Sequence, residues 1–261
     1  MQTLNILFIG DVFGKIGRQT LIKEITRISQ EEKVDFIIAN TENATHGKSL
    51  SFAHYQELEK AGVHCFTMGN HTFNNFDLLN KITEMPKLVR PLNFSELAPG
   101  VGSRVFKIAK QKIRVTNLLG RSFMALKVDN PFLTLEKIVK RNQEDFHIVD
   151  FHAEATAEKI TLGLHFDGKV TAVLGTHTHV QTVDARILPE GTFFISDVGM
   201  TGPHFSVIGA DFKNIIKKER TNLPSKIIPA KGPGQFSAVF LKLDCTSKKV
   251  INYKNIYKVL D

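Results

Sequence analysis

Two histidines one residue apart, His177 and His179, follow the apolar run Val170–Leu174 and could bind a metal ion. A polar turn after a strand would produce the same short pattern. Four other apolar runs of this sequence also end in residues with carboxylate, amide or imidazole groups. These residues are Asp11, then Glu42 with Asn43, then Asn70 with His71, and finally His152. The histidine pair therefore has to be interpreted together with these four positions.

Mixed oxygen and imidazole donors are typical of sites for Mn, Fe, Co or Zn, whereas Ca and Mg prefer oxygen alone. The set is larger than one tetrahedral ion needs, and it matches two ions that share a bridging carboxylate. Two metals about 3.5–4 Å apart can hold a bridging hydroxide and clamp the oxygens of an in-line phosphoryl displacement. The residue types therefore predict metal-dependent hydrolysis of a phosphate ester.

Each residue taken alone also has a structural interpretation. Asp11 could cap a following helix, and Asn70 could simply occupy a left-handed turn. A single histidine is often a hydrogen-bonded structural residue, and we assign that role to His46, His54, His64, His147, His165 and His204. Because five independent strand ends carry such groups, the metal interpretation is favoured for the set.

The first third of the chain predicts the elements that bring these residues together. Its apolar runs predict strands at Asn5–Gly10, Val34–Ala39 and Val63–Met68, with helices at Gln19–Glu32 and Phe52–Ala61 between them. A βαβαβ order implies right-handed crossovers and a largely parallel sheet. Ligands bind outside the carboxyl ends of such strands, so the polar residues are expected to converge there.

The rest of the chain predicts a second set of strands. The predicted elements are a hairpin of Val105–Ala109 and Ile113–Asn117, a helix at Thr134–Asn142, strands at His147–Phe151, Val170–Leu174 and Thr192–Ile195, and a closing antiparallel pair of Phe236–Leu243 and Val250–Tyr257. With 261 residues, we expect one α/β domain, 1–261, that contains two sheets.

The composition narrows the class of protein. No apolar run is long enough to span a bilayer, and the N-terminus lacks the basic region of a signal peptide, so we expect a cytoplasmic protein. Cys65 and Cys245 are expected to be reduced thiols. The net charge of +8 suits a phosphate-bearing substrate, but the lysines are dispersed and predict no dedicated nucleic-acid-binding motif.

The sequence also resembles a known family. The segments after the predicted strands resemble the Gly-Asn-His and Gly-His-x-His blocks of the calcineurin-like metallophosphoesterases. More narrowly, the chain is similar to the YmdB-like branch of bacterial phosphodiesterases through GDVFGKIGR, NTENATHGKSL, TMGNHTF, LVRPLNF, NLLGRSF, DFHAEATAEK, GTHTHVQTVDARILP and SDVGMTGP. These segments occur in the same order as in that branch, from about residue 5 to past residue 205.

The resemblance implies a four-layer α/β/β/α sandwich of two mixed sheets with a dinuclear metal site at the strand ends. It implies hydrolysis of 2′,3′- and 3′,5′-cyclic nucleotides, or of short RNA-derived substrates, by a hydroxide that bridges the metals. Iron or manganese is expected first, and zinc is also compatible with the ligands. Members of the branch are commonly oligomeric, so a homo-oligomer is expected.

The resemblance also assigns roles to individual residues. Asp11, a bridging Glu42 and His179 would hold one metal, whereas Glu42, Asn70, His152 and His177 would hold the other. Asn43 would contact the substrate phosphate, and His71 would be the catalytic histidine. A position beside a ligand but facing the leaving oxygen would suit His71 as a general acid. The remaining expectations are that Asp150 and Glu154, or backbone carbonyls in their place, orient ligand imidazoles, and that Arg121 and Thr201–Pro203 serve in packing before any role in a nucleotide pocket.

Two positions depart from the wider superfamily. Phe13 stands where the superfamily usually has a histidine ligand, and Glu42 stands where it has a bridging aspartate. Both changes are typical of the YmdB-like branch. They leave one metal with fewer protein ligands, which opens coordination positions.

Three other functions remain open at this stage. The same metal core could serve a phosphomonoesterase or an RNA-directed nuclease, and the chain could instead be a nucleotide-sensing regulator with little turnover. The complete set of hydrolytic residues argues against a pure sensor.

Overall fold

A computed structural model of the protein describes residues 2–141 and 143–260, and every statement about its elements refers to these residues. The strands are β1 Thr3–Ile9, β2 Asp11–Val12, β3 Phe36–Asn40, β4 Cys65–Thr67, β5 Leu88–Val89, β6 Ser103–Ile108, β7 Gln111–Leu119, β8 Phe146–His152, β9 Ala172–Thr176, β10 Arg186–Ile187, β11 Phe193–Ile195, β12 Met200–Pro203, β13 Gly234–Asp244 and β14 Lys249–Leu260. The helices are α1 Gly14–Glu31, α2 Phe52–Lys60, α3 Phe76–Lys81, α4 Pro131–Val139, α5 Thr156–His165 and α6 Phe212–Thr221, with a 3₁₀ turn at Ile82–Glu84.

The strands form two mixed sheets. In the first sheet the order is β2-β12-β13-β1-β3-β4-β5, and β14 pairs with β13. Within it β1, β3, β4 and β5 are parallel, whereas β13 is antiparallel to β1. In the second sheet the order is β10-β11-β9-β8-β7-β6, with β7, β8, β9 and β11 parallel. The parallel strands of each sheet therefore end at a common edge.

Alternating side chains of the strands pack the two sheets between helices. On β1, Leu7 and Ile9 pack against α1 and α2, whereas Ile6 and Phe8 point to the opposite face and contact the second sheet. The far face of the second sheet carries Phe151, which packs against α4 and α5. Three apolar layers thus separate helix, sheet, sheet and helix, which confirms the four-layer α/β/β/α sandwich.

The predicted strands and helices are present, but several boundaries differ. Helix α1 begins at Gly14 rather than at Gln19, because buried Gly17 and Arg18 extend its inner face in place of apolar residues. The predicted helix Thr134–Asn142 is observed as α4, and Asn142 lies outside the described residues. Helices α3, α5 and α6 were not predicted. Helix α6 has no buried residue, although Phe212, Ile215 and Ile216 recur along it at helical spacing.

Among the described residues, no helix is both long enough and apolar enough to cross a membrane.

Candidate active site

The polar residues identified in the sequence meet at the carboxyl ends of the parallel strands of both sheets. His152 is the last residue of β8, and His177 follows β9 directly. Glu42 is reached two residues after β3. Single ligand atoms of Glu42, His152 and His177 lie within 4.8 Å of one another, although these residues are far apart in sequence. The fold therefore brings together groups that could hold a metal ion.

The first group of ligand atoms surrounds Nε2 of His152. This nitrogen lies 3.0 Å from Asn70 Oδ1 and 3.0 Å from His177 Nδ1. It also lies 3.2 Å from Glu42 Oε1. One ring nitrogen carries at most one hydrogen, so it cannot form a hydrogen bond with all three neighbours at once. A metal ion that accepts a lone pair from each atom would satisfy all four.

The second group lies around Asp11, which is fully buried. Its Oδ2 accepts a hydrogen bond from the backbone N–H of His177 at 3.1 Å. Its Oδ1 has no hydrogen-bond partner and lies 3.8 Å from His179 Nε2. A buried carboxylate oxygen without a donor is costly unless a cation compensates it. This orphaned oxygen fits a second metal position.

The structure excludes the capping interpretation of Asp11. The N-cap residue of α1 is Phe13, and no side chain caps this helix. Asp11 instead lies in β2, where it is paired in register with Met200 of β12. Its carboxylate is therefore free to face the strand ends.

Hydrogen bonds on the far side of each ring determine which nitrogen faces the site. His152 Nδ1 donates to Thr176 Oγ1 at 2.9 Å, because that hydroxyl donates onward to Asp150 Oδ1 at 2.7 Å. His179 Nδ1 donates to the carbonyl of Ile208 at 2.8 Å. These bonds turn Nε2 of both rings toward the carboxylates, so a metal ion could displace any proton there and bind the lone pair, which is how metal-binding histidines are oriented.

The third imidazole is turned the other way. His177 Nε2 lies 3.1 Å from Glu154 Oε2, so Nδ1 is the nitrogen that faces His152. Of the two acidic residues expected to orient imidazoles, Glu154 contacts His177 directly, and Asp150 contacts His152 through the hydroxyl of Thr176. The hydroxyl of Thr176 was not identified from the sequence, even though it lies inside the GTHTH segment.

The loop that carries both histidines has an uncommon backbone. His177 and His179 have φ angles of 108° and 67°, which non-glycine residues adopt rarely and chiefly where the surroundings impose it. Asp197 supplies that restraint, because its Oδ2 accepts from the backbone N–H of Thr178 at 2.9 Å. The same oxygen forms a buried ion pair with Lys159 at 2.9 Å. The SDVG segment around Asp197 thereby positions the loop that carries His177 and His179.

Gly69 allows the ligands to approach one another. A Cβ at this position would lie 2.3 Å from Glu42 Oε2 and 2.4 Å from His152 Nε2. Any larger residue would displace the carboxylate or the imidazole. The glycine before Asn70 is therefore required by close approach and not by an unusual φ angle.

The buried charges of the site depend on one another. Burial alone would raise the pKa of Glu42, but the adjacent His152 outweighs it and lowers the pKa to about 2. Burial would lower the pKa of His152, yet the carboxylates of Glu42, Asp11 and Asp150 raise it to about 9. For Asp11, burial prevails over the two histidines and raises the pKa. The buried carboxylates thus attract positive charge, the role that metal ions would fill.

His71 and Asn43 lie beside these groups. The backbone N–H of His71 donates to Glu42 Oε2 at 3.0 Å. Its ring accepts a hydrogen bond at Nδ1 from Asn74 Nδ2 at 3.0 Å, so the proton resides on Nε2. Asn43 places Oδ1 3.3 Å from His179 Nε2 and donates through Nδ2 to the carbonyl of Gly47 at 3.1 Å. Burial lowers the pKa of His71, against the opposing charge of Glu42.

The other polar residues singled out in the sequence lie outside the cluster. Thr201 is buried in β12, where its hydroxyl donates to the carbonyl of Ser237, in agreement with a packing role. Arg121 is exposed and donates its backbone N–H to Glu158. Five of the six remaining histidines have hydrogen-bond partners unrelated to the site: His54 with Thr45, His64 with Ile37, His147 with Thr116, His165 with Glu136 and His204 with Gln235.

Comparison with known proteins agrees with this geometry. A sequence model of the family described as YmdB-like protein matches residues 7–256. The chain is 42% identical over 255 residues to a 2′,3′-cyclic-nucleotide 2′-phosphodiesterase of Bacillus subtilis strain 168, covering 97% of this chain and 96% of the relative.

Two solved structures share the whole fold. A crystal structure of a novel phosphatase from Mycoplasma pneumoniae superposes with a TM-score of 0.96 at 43% identity, covering 100% of this chain and 95% of that one. A hypothetical protein from Thermus thermophilus superposes with a TM-score of 0.93 at 34% identity, covering 99% of this chain and 100% of that one. The chain therefore belongs to the YmdB-like family of metallophosphoesterases.

Proposed function

We propose that the protein is a dinuclear-metal phosphodiesterase that hydrolyses cyclic nucleotides. The observation that carries this proposal is the convergence of lone pairs on two adjacent positions: one around His152 Nε2, the other around the orphaned Asp11 Oδ1. The identity of 42% to a 2′,3′-cyclic-nucleotide 2′-phosphodiesterase supports the same reaction and substrate class. Hydrolysis of 3′,5′-cyclic nucleotides by the same site is a second, weaker expectation.

The proposed ligands follow from these positions. Asp11 and His179 would hold one ion, and Asn70, His152 and His177 would hold the other. Glu42 would contribute to both, because its Oε1 is part of the His152 group and its charge is near enough to raise the pKa of Asp11. Phe13, at the usual position of a histidine ligand, places its ring 5.9 Å from the His179 ring and adds no donor. Iron or manganese best suits this donor set, and zinc is compatible with it.

The bound ions would make a nucleophile available from water at neutral pH and neutralise charge on the phosphate oxygens. The chain supplies the proton and the orientation. When its imidazole is protonated, His71 donates the Nε2 proton to the ribose oxygen that leaves phosphorus and returns to the neutral ring, so that the cyclic ester opens to a monoester. Asn43 has a second N–H on Nδ2 that donates to a non-bridging phosphate oxygen without adding charge.

Two further properties belong to the proposal. We place the enzyme in the cytoplasm, because neither the sequence nor the described helices contain a segment suited to a membrane. We also propose that the chain acts as a homo-oligomer. Helix α6 has no buried residue and exposes Phe212 and Ile216, an apolar surface that a second copy could cover.

The proposed activity is tested by a substrate panel on protein purified without chelator. The panel contains 2′,3′-cyclic AMP, 3′,5′-cyclic AMP, p-nitrophenyl phosphate and a short linear RNA. We expect 2′,3′-cyclic AMP to have the highest kcat/KM and the activity to disappear with EDTA. Preference for the monoester would identify a phosphomonoesterase, and preference for the RNA a nuclease. Binding that persists in EDTA without product would identify a sensor and contradict the proposal.

A further inference from the structure

A cavity of about 490 Å³ opens beside the proposed metal site, and we call it the Phe76 cavity. Its lining residues come from α3 and from three loops: Phe13, Thr45–Lys48, Asn74–Phe76, Ile227 and Pro229. Its volume falls within the range of about 300–1,000 Å³ that small-molecule sites occupy. Nothing in the proposed chemistry at the metal ligands uses this space.

Three residues of the cavity wall touch residues assigned to the reaction. The Gly47 carbonyl accepts from Asn43 at 3.1 Å, and Asn74 donates to His71 at 3.0 Å. The ring of Phe13 lies against that of His179. The cavity thus begins at the side where Asn43 and His71 would meet the substrate.

A second cavity lies on the other side of His179, but it is less suited to the same substrate. It is lined by Gln181, His204 and Tyr257 among others, and includes Ile208. There the carbonyl of Ile208 accepts a hydrogen bond from His179 Nδ1, so this cavity borders the Nδ1 side of the ring and not the Nε2 side that faces the carboxylates. Asn43 and His71 line neither cavity, but Gly47 and Asn74 of the Phe76 cavity are hydrogen-bonded to them, whereas the second cavity reaches only Asn43, through His179. The geometry therefore selects the Phe76 cavity.

Phe13 forms a fixed inner wall of the Phe76 cavity. A Cβ added at Gly47 would lie 2.7 Å from its ring, and one added at Gly209 would lie 2.5 Å from it. The ring is only 6% exposed. Because Gly47 and Gly209 pack closely against its ring, Phe13 is held in place between the proposed metal site and the cavity.

The outer walls of the cavity are apolar and unusually exposed. The side chain of Phe76 is 82% exposed at the first turn of α3, and Ile227 is 54% exposed on the facing loop. The amide side chains of Asn74 and Asn75 lie beside them, and Asn75 caps the helix through Asp77 N–H. A planar apolar surface with amides at its edge matches a nucleobase, whose faces stack on aromatic rings and whose edges form hydrogen bonds.

We propose that the Phe76 cavity binds the base of the cyclic nucleotide. One face of the base would stack on Phe76, and the other face would pack against Ile227 and Pro229. This inference rests on the proposed function, because it places the ribose phosphate at Asn43 and His71. Lys48 lines the same cavity, and its positive charge draws the anionic substrate toward this side.

The test compares two cyclic esters that differ only in the base. Initial rates are measured on metal-loaded enzyme with 2′,3′-cyclic AMP and with methyl riboside 2′,3′-cyclic phosphate, which has the same ring but no base. For Phe76→Ala, we expect the ratio of kcat/KM for the nucleotide to that for the methyl riboside to fall about tenfold, mainly through KM. Phe76→Tyr should restore the ratio, because tyrosine presents the same aromatic face.

A matched control is Leu164→Ala on α5, which removes a 55% exposed apolar side chain away from the cavity and should preserve the ratio. A second measurement uses 2-aminopurine riboside monophosphate, whose fluorescence is read easily because the chain has no tryptophan. Stacking on Phe76 should quench this fluorescence with the wild-type enzyme and not with Phe76→Ala.

The possible results separate the two proposals. If wild type hydrolyses both esters and Phe76→Ala changes neither the ratio nor the quenching, the base site is wrong and the proposed function stands. If the wild-type enzyme hydrolyses neither ester, the proposed function fails and the base site fails with it.

Discussion

Strand β8 has a buried histidine near each end, and the two imidazoles have opposite charge preferences. His152, at the carboxyl end, is fully buried, and His147, near the amino end, is 4% exposed. The carboxylates around His152 outweigh its burial and raise its pKa to about 9. Burial, reinforced by the charge of Arg114, lowers the pKa of His147 to about 3.

The difference arises from the acidic neighbours and not from the strand. Glu144 Oε1 lies 3.5 Å from His147 Nδ1, but it lies nearer, at 2.9 Å, to Arg114 Nε, which neutralises it. At the other end, Glu42 and Asp11 have no arginine or lysine within ion-pair distance among the described residues. Buried carboxylates without a permanent cation therefore mark the functional end, and a compensated one marks the structural end.

The largest expected effect comes from removing the carboxylate that distinguishes the two ends. Glu42→Ala should lose both metal equivalents, because a bridging ligand serves two ions. Turnover should fall by more than roughly 100-fold, because loss of a mere hydrogen-bond partner of a metal ligand already costs up to that factor. Metal content by elemental analysis and kcat on 2′,3′-cyclic AMP test this.

The matched control is Glu136→Ala, which breaks an exposed glutamate–histidine pair of 3.0 Å with His165. It should retain metal and turnover. Two metal equivalents in Glu42→Ala would show that this carboxylate is not the bridge.

The next effect separates catalysis from metal binding at the carboxyl end of the strands. His71→Ala should keep both ions, because its ring faces the substrate, while kcat falls by about 10²–10⁴-fold through loss of the general acid. His165→Ala is the control for a surface histidine. A parallel loss of metal and activity in His71→Ala would make His71 a ligand instead.

A smaller effect is expected from the outer hydrogen bond of His177. Glu154→Ala removes the acceptor 3.1 Å from His177 Nε2, so the ring is less well oriented and less basic. Metal affinity should fall by about 10–100-fold while saturating metal restores kcat. Competition with a chelator of known affinity measures it. Unchanged affinity would mean that the contact does not orient the ligand.

The smallest effect concerns stability at the opposite end of β8. Folded His147 stays neutral down to about pH 3, whereas in the unfolded chain its pKa is near 6.5. Between pH 3 and pH 6.5 the unfolded state therefore binds one more proton than the folded state. The contribution of His147 to the free energy of unfolding is complete above pH 6.5 and is lost as the pH falls. His147→Gln, which can still bond to Thr116, should remove this dependence.

Denaturant titrations at pH 6 and pH 5 measure the contribution of His147. Between these pH values wild type should lose about 1 kcal/mol more unfolding free energy than His147→Gln. Turnover at neutral pH should be unchanged in the variant. Equal losses in both proteins would show that His147 is protonated in the folded state.

The sequence predicted the parallel strands and the polar groups at their ends because apolar runs and their terminal residues are local features. Asp11, Glu42 and His152 were found in this way, and the four-layer fold is confirmed. That residues 1–261 form a single domain stays a prediction.

Long-range contacts were not accessible from the sequence. Thr176 was not identified, because its hydroxyl matters only through Asp150 and His152 on the neighbouring strand. A backbone carbonyl was an expected alternative partner for a ligand imidazole, but that of Ile208 could not be singled out because every residue supplies a carbonyl. Helix α6 was missed although Phe212, Ile215 and Ile216 recur at helical spacing, because the segment is short and rich in lysine. A pattern in sequence reveals which groups are available, whereas packing decides which nitrogen or oxygen of each group faces the site.

The most direct test of the account is an anomalous-diffraction map of crystals grown with Mn²⁺. We expect two peaks per chain about 3.5–4 Å apart. One should lie between Asp11, Glu42 and His179, the other between Glu42, Asn70, His152 and His177. A single peak, or peaks away from these residues, would contradict the two-metal site.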